Sequence, residues 1–408
     1  MKKLGLSILI FFTVFILFSQ EKQNNEDSFA EKSIPIEEAI IKEAEFYQEE
    51  ELKNQEKNTE TINDNQNQDV EENPKKIQYI ELPYPGMQRP EVEKFRKQYL
   101  SPKWSALLHT YLERAMEYRL YVRKAIQDQQ LPEILEYLPV VESNYITSAK
   151  SSSGAIGMWQ FMANSVYPFL ELNDFVDQRL DPWKSTDAAL KKLKDNYNTF
   201  NDWLIAIAAY NCGAGAMRRA MNKSQSDDFW ELVDKKAISS QTANYIPKLL
   251  AIADLAINAD YYGIDIPNHN EEFENLINEK EGNFDYISVD KAYSLNQLAG
   301  ELRIDPKTIN HLNPSYLLGM THPSKKSEIR LPLGMKKSAL EALEKLSPIE
   351  FPVKYTVQSG DSLWSISRKY GVSIASICEI NNIKENAILR IGKILYIPSK
   401  STDYWKVV

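Results

Sequence analysis

The sequence has 408 residues, of which 43% are hydrophobic and 11% aromatic, enough to form about two or three domains with buried cores. Its 48 basic and 57 acidic residues leave a formal net charge of −9, which gives no support to nucleic-acid binding. The two cysteines, Cys212 and Cys378, lie in separate segments, so a disulfide framework is not expected. The four histidines lack the spacing of metal ligands, and we expect neither a metal nor another cofactor.

Residues 1–20 have the pattern of an export signal. Lys2 and Lys3 precede an apolar run over residues 4–18, which is short for a membrane-spanning helix. Leu17 and Phe18 do not fit the small residues preferred before a cleavage site. The alternative is therefore a retained anchor that associates with a membrane through residues 4–18. In both cases we expect an exported protein of the periplasm or cell envelope.

Residues 21–80 are predicted to form a disordered acidic linker. The stretch from Glu21 to Gln78 carries 17 acidic and 7 basic side chains and few large apolar ones. Such a composition does not bury enough apolar surface to form a core, and repulsion between like charges keeps the chain extended. We expect a tether without chemistry of its own.

Residues 81–268 have the pattern of a mostly helical domain, in which apolar residues recur at spacings of three and four. The predicted helices span Glu91–Tyr99, Trp104–Gln129, Leu131–Val141, Trp203–Tyr210 and Thr242–Tyr261. Ser185 is the predicted N-cap of one more helix. No series of alternating strands appears in this region.

Residues 352–399 have the pattern of a small β-α-α-β module, so the fold class predicted for the whole chain is α+β. The predicted strands and helices are Tyr355–Val357, Leu363–Tyr370, Ile374–Ile380 and Leu395–Pro398. A turn at Gly360-Asp361-Ser362 caps the first of these helices.

Residues 281–335 contain an earlier copy of this module. Ser294 matches Ser362, and Asn313 matches Asn381, at one offset without gaps. The earlier copy lacks the Gly-Asp turn before its first helix, and we interpret it as degenerate.

Glu142 is the strongest candidate for a catalytic group. It follows the apolar run Leu138–Val141, and a carboxyl group at the end of an apolar helix is poorly solvated. Desolvation favours the protonated form, and a carboxylic acid that keeps its proton near neutral pH can donate it to a leaving oxygen. The alternative for such a residue is a solvated or ion-paired glutamate with no catalytic role.

Two other clusters carry fixed polar groups. Tyr210 and Asn211 end a buried helix just before Gly213, and they place a hydroxyl and an amide where a sugar could bind. A further cluster spans Thr242–Lys248 and includes Tyr245. Core packing of the two tyrosines is the alternative.

Taken together, the motifs resemble the membrane-bound lytic murein transglycosylases of the D type, which carry a goose-lysozyme-like catalytic domain followed by LysM repeats. The resemblance extends from about Leu82 to the C-terminus. It is carried in order by Glu142-Ser143, Gly154-Ala155, Gly157 with Trp159-Gln160-Phe161, Asp177 to Ala188, Ala209-Tyr210-Asn211 and Thr242 to Lys248. Cys212 stands where the family normally has a small residue such as alanine, a departure that we expect to be neutral.

The resemblance implies cleavage of the β-1,4 bond between N-acetylmuramic acid and N-acetylglucosamine in peptidoglycan, without water, to give a 1,6-anhydro end. Glu142 would act as the single acid and then base. The substrate-binding residues implied are Ser143, Gly157, Gln160, Tyr210, Asn211 and Tyr245. For Gly157 the alternative is a backbone role, and for Gln160 a helix-terminal amide. Asp177 and Asp181 would be structural, and Trp159, Trp183 and Trp203 would belong to the core.

The resemblance also implies that the last module binds N-acetylglucosamine chains between the loop after its first strand and the loop before its last. The residues implied are Gly360, Asp361, Ser362, Leu363, Leu389, Arg390 and Ile391. Backbone groups there would meet the acetamido group, and Ile391 would pack on its methyl. A purely structural module is the alternative. The partners expected are peptidoglycan glycan strands, and the chain is expected to be a monomer.

Two other functions stay open on the sequence. A hydrolytic muramidase would leave reducing ends on digested peptidoglycan, whereas a lytic transglycosylase would leave anhydro ends. A non-enzymatic wall-binding scaffold would be insensitive to Glu142→Gln.

Overall fold

The computed structural model describes residues 78–267, 284–323, 325–349, 353–381 and 383–398. The predicted export signal and nearly all of the predicted linker lie outside the described residues. Among the helices that are described, none combines the length and the apolar character needed to cross a membrane. The predicted α+β class is confirmed, because helices build the first part of the described chain and strands form small antiparallel sheets in the second.

The helical part is built around a central helix. Its α-helices are α1 (Pro90–Leu100), α2 (Pro102–Asp128), α3 (Leu138–Ser143), α4 (Pro182–Phe200), α5 (Trp203–Cys212), α6 (Ala214–Ser224), α7 (Phe229–Asp234), α8 (Ser240–Ile257) and α9 (Ala259–Tyr262). Helix α8 contacts α1, α3 and α5. Apolar side chains occupy nearly every position of α5, and Leu204–Tyr210 are buried, as expected for a helix in the centre of a core.

The predicted helix Leu131–Val141 is in fact two elements. A 3₁₀ helix spans Glu133–Tyr137, and α3 follows it directly. Pro139 lacks the backbone N–H that an uninterrupted α-helix would need at this point. The N–H of Leu138 instead bonds to the carbonyl of Leu135, in the tighter 3₁₀ pattern.

The prediction that Ser185 caps a helix is wrong. Helix α4 begins at Pro182, and its N-cap is Asp181, whose carboxylate accepts hydrogen bonds from the backbone N–H groups of Trp183 (3.1 Å) and Lys184 (3.0 Å). An aspartate followed by proline satisfies both preferences of a helix start one turn earlier than the serine. Ser185 is fully buried inside the helix.

The two small modules have the predicted β-α-α-β order. The first comprises β1 (Phe284–Val289), α10 (Leu295–Leu302), α11 (Pro306–Leu312) and β2 (Ser327–Pro332); the second comprises β3 (Val353–Thr356), α13 (Leu363–Tyr370), α14 (Ile374–Ile380) and β4 (Ile394–Ile397). In each module the two strands pair antiparallel. Between them lies α12 (Lys336–Lys345), a helix that the sequence analysis did not predict and that packs against α10 and β1.

Asn313 and Asn381, which match in the repeat, make the same contacts. The side-chain amide of Asn313 donates to the carbonyls of Ile309 and Arg330, and its oxygen accepts from the N–H of Arg330. The amide of Asn381 bonds in the same way to the backbone of Ile377 and Tyr396. In both modules the asparagine therefore ties the second helix to the last strand.

Arg330 joins the first module to the helical part. Its guanidinium is buried, donates to both carboxylate oxygens of Asp181 (3.2 and 3.3 Å) and lies 4.2 Å from the ring centre of Trp183. A backbone hydrogen bond from Asp177 to Ser315 (2.9 Å) runs alongside. Because a buried charge is stable only when paired, this contact holds the first module against the start of α4.

Candidate active site

Glu142 lies on α3, and a buried network of ion pairs holds the 3₁₀ helix that precedes α3. Glu136 contacts the guanidinium of Arg119 and accepts from Nε of Arg123 at 2.9 Å. Burial opposes the ionisation of Glu136, but these hydrogen bonds prevail and lower its pKa. The hydroxyl of Tyr145 donates to the Glu136 carbonyl. The backbone that leads into α3 is therefore held by several charged and polar contacts.

The Glu142 carboxyl group has the environment expected of a general acid. The residue is partly exposed, yet protein surrounds its carboxyl group closely enough that burial raises the pKa to about 7. Three groups work against this rise: the hydroxyl of Tyr245, which donates to Oε1, and the ammonium groups of Lys192 and Lys248. Near neutral pH the group can therefore exist in both protonation states, as a residue that gives and then recovers a proton requires.

Tyr210 connects α5 to the loop over residues 149–161. Its hydroxyl donates to the carbonyl of Trp159 at 2.8 Å, and its ring meets Phe161 edge to face with 6.1 Å between ring centres. Trp159 itself is fully buried and donates from Nε1 to Thr186, as expected of a core residue rather than a sugar platform.

Asn211 links its own motif, at the end of α5, to the motif Thr242–Lys248. Its side-chain oxygen accepts from the hydroxyl of Thr242 at 3.1 Å, which links the end of α5 to the start of α8. Cys212, the departure from the family pattern, is partly buried next to this contact, and burial raises the pKa of its thiol.

Ser143 and Gln160 are both engaged with the backbone of the loop. Ser143 is buried, and its hydroxyl donates to the carbonyl of Met158 at 2.7 Å. The amide of Gln160 donates to the carbonyls of Gly157 (2.8 Å) and Ala149 (3.3 Å). Ser143 therefore holds the loop against α3, Gln160 braces the loop internally, and direct contact of either residue with a sugar stays a prediction.

Gly157 occupies a position where only glycine fits. Its φ is +85°, and a Cβ added there would lie 1.8 Å from the carbonyl oxygen of Arg179. The two chain segments cross at this point, which favours the backbone role considered for this residue.

Asp177 and Asp181, the two other carboxylates considered from the sequence, make structural contacts. Asp177 receives two hydrogen bonds from the Arg179 guanidinium, at 2.9 and 2.7 Å. Asp181 caps α4 and pairs with Arg330. Across the described residues, no group of three or more His, Cys, Asp and Glu side chains is arranged to hold a metal ion.

The second module brings its two predicted loops together. The N–H of Gly392 donates to the carbonyl of Val357 at 2.9 Å, which joins the loop after β3 to the loop before β4. Asp361 accepts from the hydroxyl of Tyr355 and the N–H of Gln358. Gly360, with a φ of +87°, forms the turn before it.

The remaining predicted residues of this module divide between core and surface. Ser362 caps α13, Leu363 is buried in the module core, and Leu389 packs partly against that core. Arg390 and Ile391 are exposed. Ile388, which the sequence interpretation missed, is 89% exposed beside Ile391 at 70%. Together the two isoleucines expose an apolar surface, a feature that can mark a binding site when its residues are contiguous.

Three family matches define the class of protein. The Transglycosylase SLT domain matches residues 120–233, the LysM-like domain of lytic transglycosylase MltD matches residues 283–348, and the LysM domain matches residues 355–398. The chain therefore carries an SLT domain followed by two LysM-type domains, and in this it is similar to the lytic transglycosylases of the D type. It is an enzyme that acts on peptidoglycan, and its LysM region binds the wall.

The chain is also similar to individual known proteins. The chain is 29% identical over 335 residues to membrane-bound lytic murein transglycosylase D of Escherichia coli. The alignment covers 77% of this chain and 70% of that protein. It is 48% identical over 48 residues to a probable N-acetylmuramidase of Lactococcus lactis, covering 12% of this chain and 11% of that protein. A solved structure of an inactive mutant of lytic transglycosylase Slt from Pseudomonas aeruginosa has a TM-score of 0.31 and 17% identity, over 44% of this chain and 32% of that one.

Proposed function

We propose that the enzyme cleaves the β-1,4 bond between N-acetylmuramic acid and N-acetylglucosamine without water, with Glu142 as the only acid and base. The observation that carries this proposal is the Glu142 carboxyl group itself. Burial raises its pKa to about 7, and it accepts a hydrogen bond from Tyr245. A carboxyl group with a pKa near the working pH is well suited to both halves of such a reaction.

The reaction takes place in two proton transfers. Protonated Glu142 gives its proton to the glycosidic oxygen as the bond from that oxygen to the anomeric carbon breaks, and positive charge develops on the sugar. The Glu142 carboxylate then takes the proton from the C6 hydroxyl of the same muramoyl residue, while the C6 oxygen bonds to the anomeric carbon. The product is a 1,6-anhydro end, and Glu142 has recovered its proton.

The ion pairs made by Asp177 and Asp181 support a single-acid mechanism. A glycosidase with two carboxyl groups needs them within about 5 to 9.5 Å of each other across the bond. Asp177 and Asp181 are instead held by Arg179 and Arg330. The uncharged amide of Asn211, at the end of α5, suits the binding of a sugar, whereas the Tyr210 hydroxyl already donates to the Trp159 carbonyl.

Product analysis tests this proposal directly. Mass spectrometry of glycan fragments released from purified peptidoglycan is expected to show 1,6-anhydro muramoyl ends. These fragments are lighter than the hydrolysed form by the mass of one water, about 18 Da, because no water is added. Fragments with reducing ends would contradict the proposal and indicate a hydrolytic muramidase.

The pH dependence of cleavage follows from the protonation of Glu142. Because the first step needs the protonated form, kcat/KM is expected to fall as the pH rises through about 7 rather than through 4.5, the ordinary value for a glutamate. Tyr245→Phe removes a hydrogen bond that lowers the Glu142 pKa, so its profile is expected to fall at a higher pH. A profile that falls near 4.5 in the unmodified enzyme would contradict the assignment.

We also propose that the second module binds glycan at the surface that carries Ile388 and Ile391. Ile391→Ser is expected to weaken the affinity for insoluble peptidoglycan, measured by co-sedimentation, about tenfold or more, because burial of an exposed isoleucine contributes about 1.5–3 kcal/mol. Leu340→Ser is the matched control, since Leu340 is 47% exposed on α12, outside the predicted loops. Equal binding of the two variants would contradict this location.

The domain boundaries and the location of the protein follow as part of the same proposal. We propose a catalytic domain over residues 81–268, a first module that extends from 281 through α12, and a second module over residues 352–399. The burial of Ala339 and Ala342 of α12 in the core of the first module supports the extension. The apolar run at residues 4–18 and the membrane-bound relative support export to the cell envelope.

A further inference from the structure

Lys192 lies in the candidate active site, although no sequence motif drew attention to it. It belongs to α4, and its ammonium group lies 4.7 Å from the ring centre of Tyr210 and 5.2 Å from that of Phe161. Lys192 is half-buried, whereas Lys191 and Lys194 on the same helix are exposed. Lys192 therefore faces the site, whereas Lys191 and Lys194 face solvent.

Two aromatic rings hold the Lys192 ammonium in place. A lysine side chain on a surface samples many rotamers, and ordering it has an entropic cost. Attraction to the faces of two rings offsets part of that cost. The rings are themselves fixed, because Tyr210 bonds to Trp159 and Phe161 is 1% exposed.

The charged and titratable groups that face Glu142 come from three helices. Tyr245 and Lys248 lie on α8, Tyr210 lies on α5, and Lys192 lies on α4. Burial lowers the pKa of Lys192, and its interaction with Glu142 opposes that change. The two groups therefore interact across the site, and each favours the charged form of the other.

We propose that Lys192 is a positioning residue for the reaction, which keeps a positive charge beside Glu142 and stabilises the carboxylate formed when Glu142 gives up its proton. This inference rests on the proposed role of Glu142 as the acid. Negative charge develops on Glu142 in the transition state of the first step, and a charge already fixed nearby stabilises it without reorganisation. The low polarity of a partly buried site strengthens that interaction.

The test compares Lys192→Met with two other variants. Lys192→Met is expected to lower kcat about tenfold with little change in KM. Its kcat/KM is expected to fall at a higher pH than that of the wild-type enzyme, because loss of the positive charge raises the Glu142 pKa. Lys192→Arg keeps the charge and is expected to restore both kcat and the profile. Lys191→Met, one position away on the exposed face, is expected to behave like the unmodified enzyme.

The outcomes separate this inference from the proposed function. A Lys192→Met enzyme with unchanged kcat and pH profile would overturn it, as would a rise in KM alone, which would indicate a substrate-binding cation instead. Thermal unfolding is measured for each variant, and Lys192→Gln replaces Lys192→Met if the latter unfolds at a lower temperature. Activity of Glu142→Gln in the same assay would refute the proposed mechanism whatever the lysine variants show.

Discussion

Glu142→Gln is expected to lower the cleavage of peptidoglycan by at least about 10²–10⁴-fold, the usual contribution of a general acid. The amide keeps the shape of the side chain but does not donate a titrating proton to the glycosidic oxygen, nor recover one from the C6 hydroxyl. Tyr245 can still donate to the amide oxygen, so the local geometry should be preserved. Binding to the wall should remain, since the second module is unchanged.

The assay is the release of soluble muropeptides from purified peptidoglycan, with co-sedimentation of the variant measured in parallel. Glu133→Gln is the matched control, because Glu133 is an exposed glutamate on the 3₁₀ helix that precedes α3. It should cleave at the normal rate. Normal cleavage by Glu142→Gln would refute the single-acid mechanism and favour a scaffold function.

Gly157→Ala is expected to destabilise the enzyme by roughly 3 kcal/mol or more. The new methyl would lie 1.8 Å from the carbonyl oxygen of Arg179, so one of two crossing backbone segments has to move. Positive φ for a residue other than glycine costs about 1–3 kcal/mol, and overpacking adds about 1–3 kcal/mol. The loop that carries Gln160 would shift with Gly157, and we expect activity to fall as well.

Gly154→Ala provides a close control for this prediction. Gly154 has a φ of +89°, almost the same as Gly157, but a Cβ there would meet nothing within 4 Å. Only the backbone strain should remain, so its loss of stability should be about 1–3 kcal/mol and smaller than that of Gly157→Ala. Chemical denaturation measures both, and equal losses would show that the crossing with Arg179 is not the reason for the glycine.

Local signals in the sequence were strong enough to predict much of the second module. The helices Leu363–Tyr370 and Ile374–Ile380 begin and end where predicted. Ser362 caps the first, and Gly371 ends it with a φ of +67°, so both boundaries depend on residues next to the helix. Such boundaries need no information from distant parts of the chain.

The sequence predictions failed at the start of α4, where two helix-capping signals compete, and at α12. Ser185 was a reasonable N-cap, but Asp181 with Pro182 starts α4 earlier and also receives Arg330 from the first module. Helix α12 was not predicted, and its buried face packs against α10 and β1. In both cases a residue far away in the chain contributes to the local result.

The sequence by itself determined the class of fold, the order of the motifs and the identity of the candidate acid, because each of these depends on residue type and near spacing. Only the tertiary structure decided which groups surround that acid. Tyr245 and Lys192 lie far from Glu142 along the chain, and they interact with it because α8 packs against α3 and α4 packs against α5. Burial and electrostatic interaction depend on distance in space, so the pKa of Glu142 is a property of the folded chain.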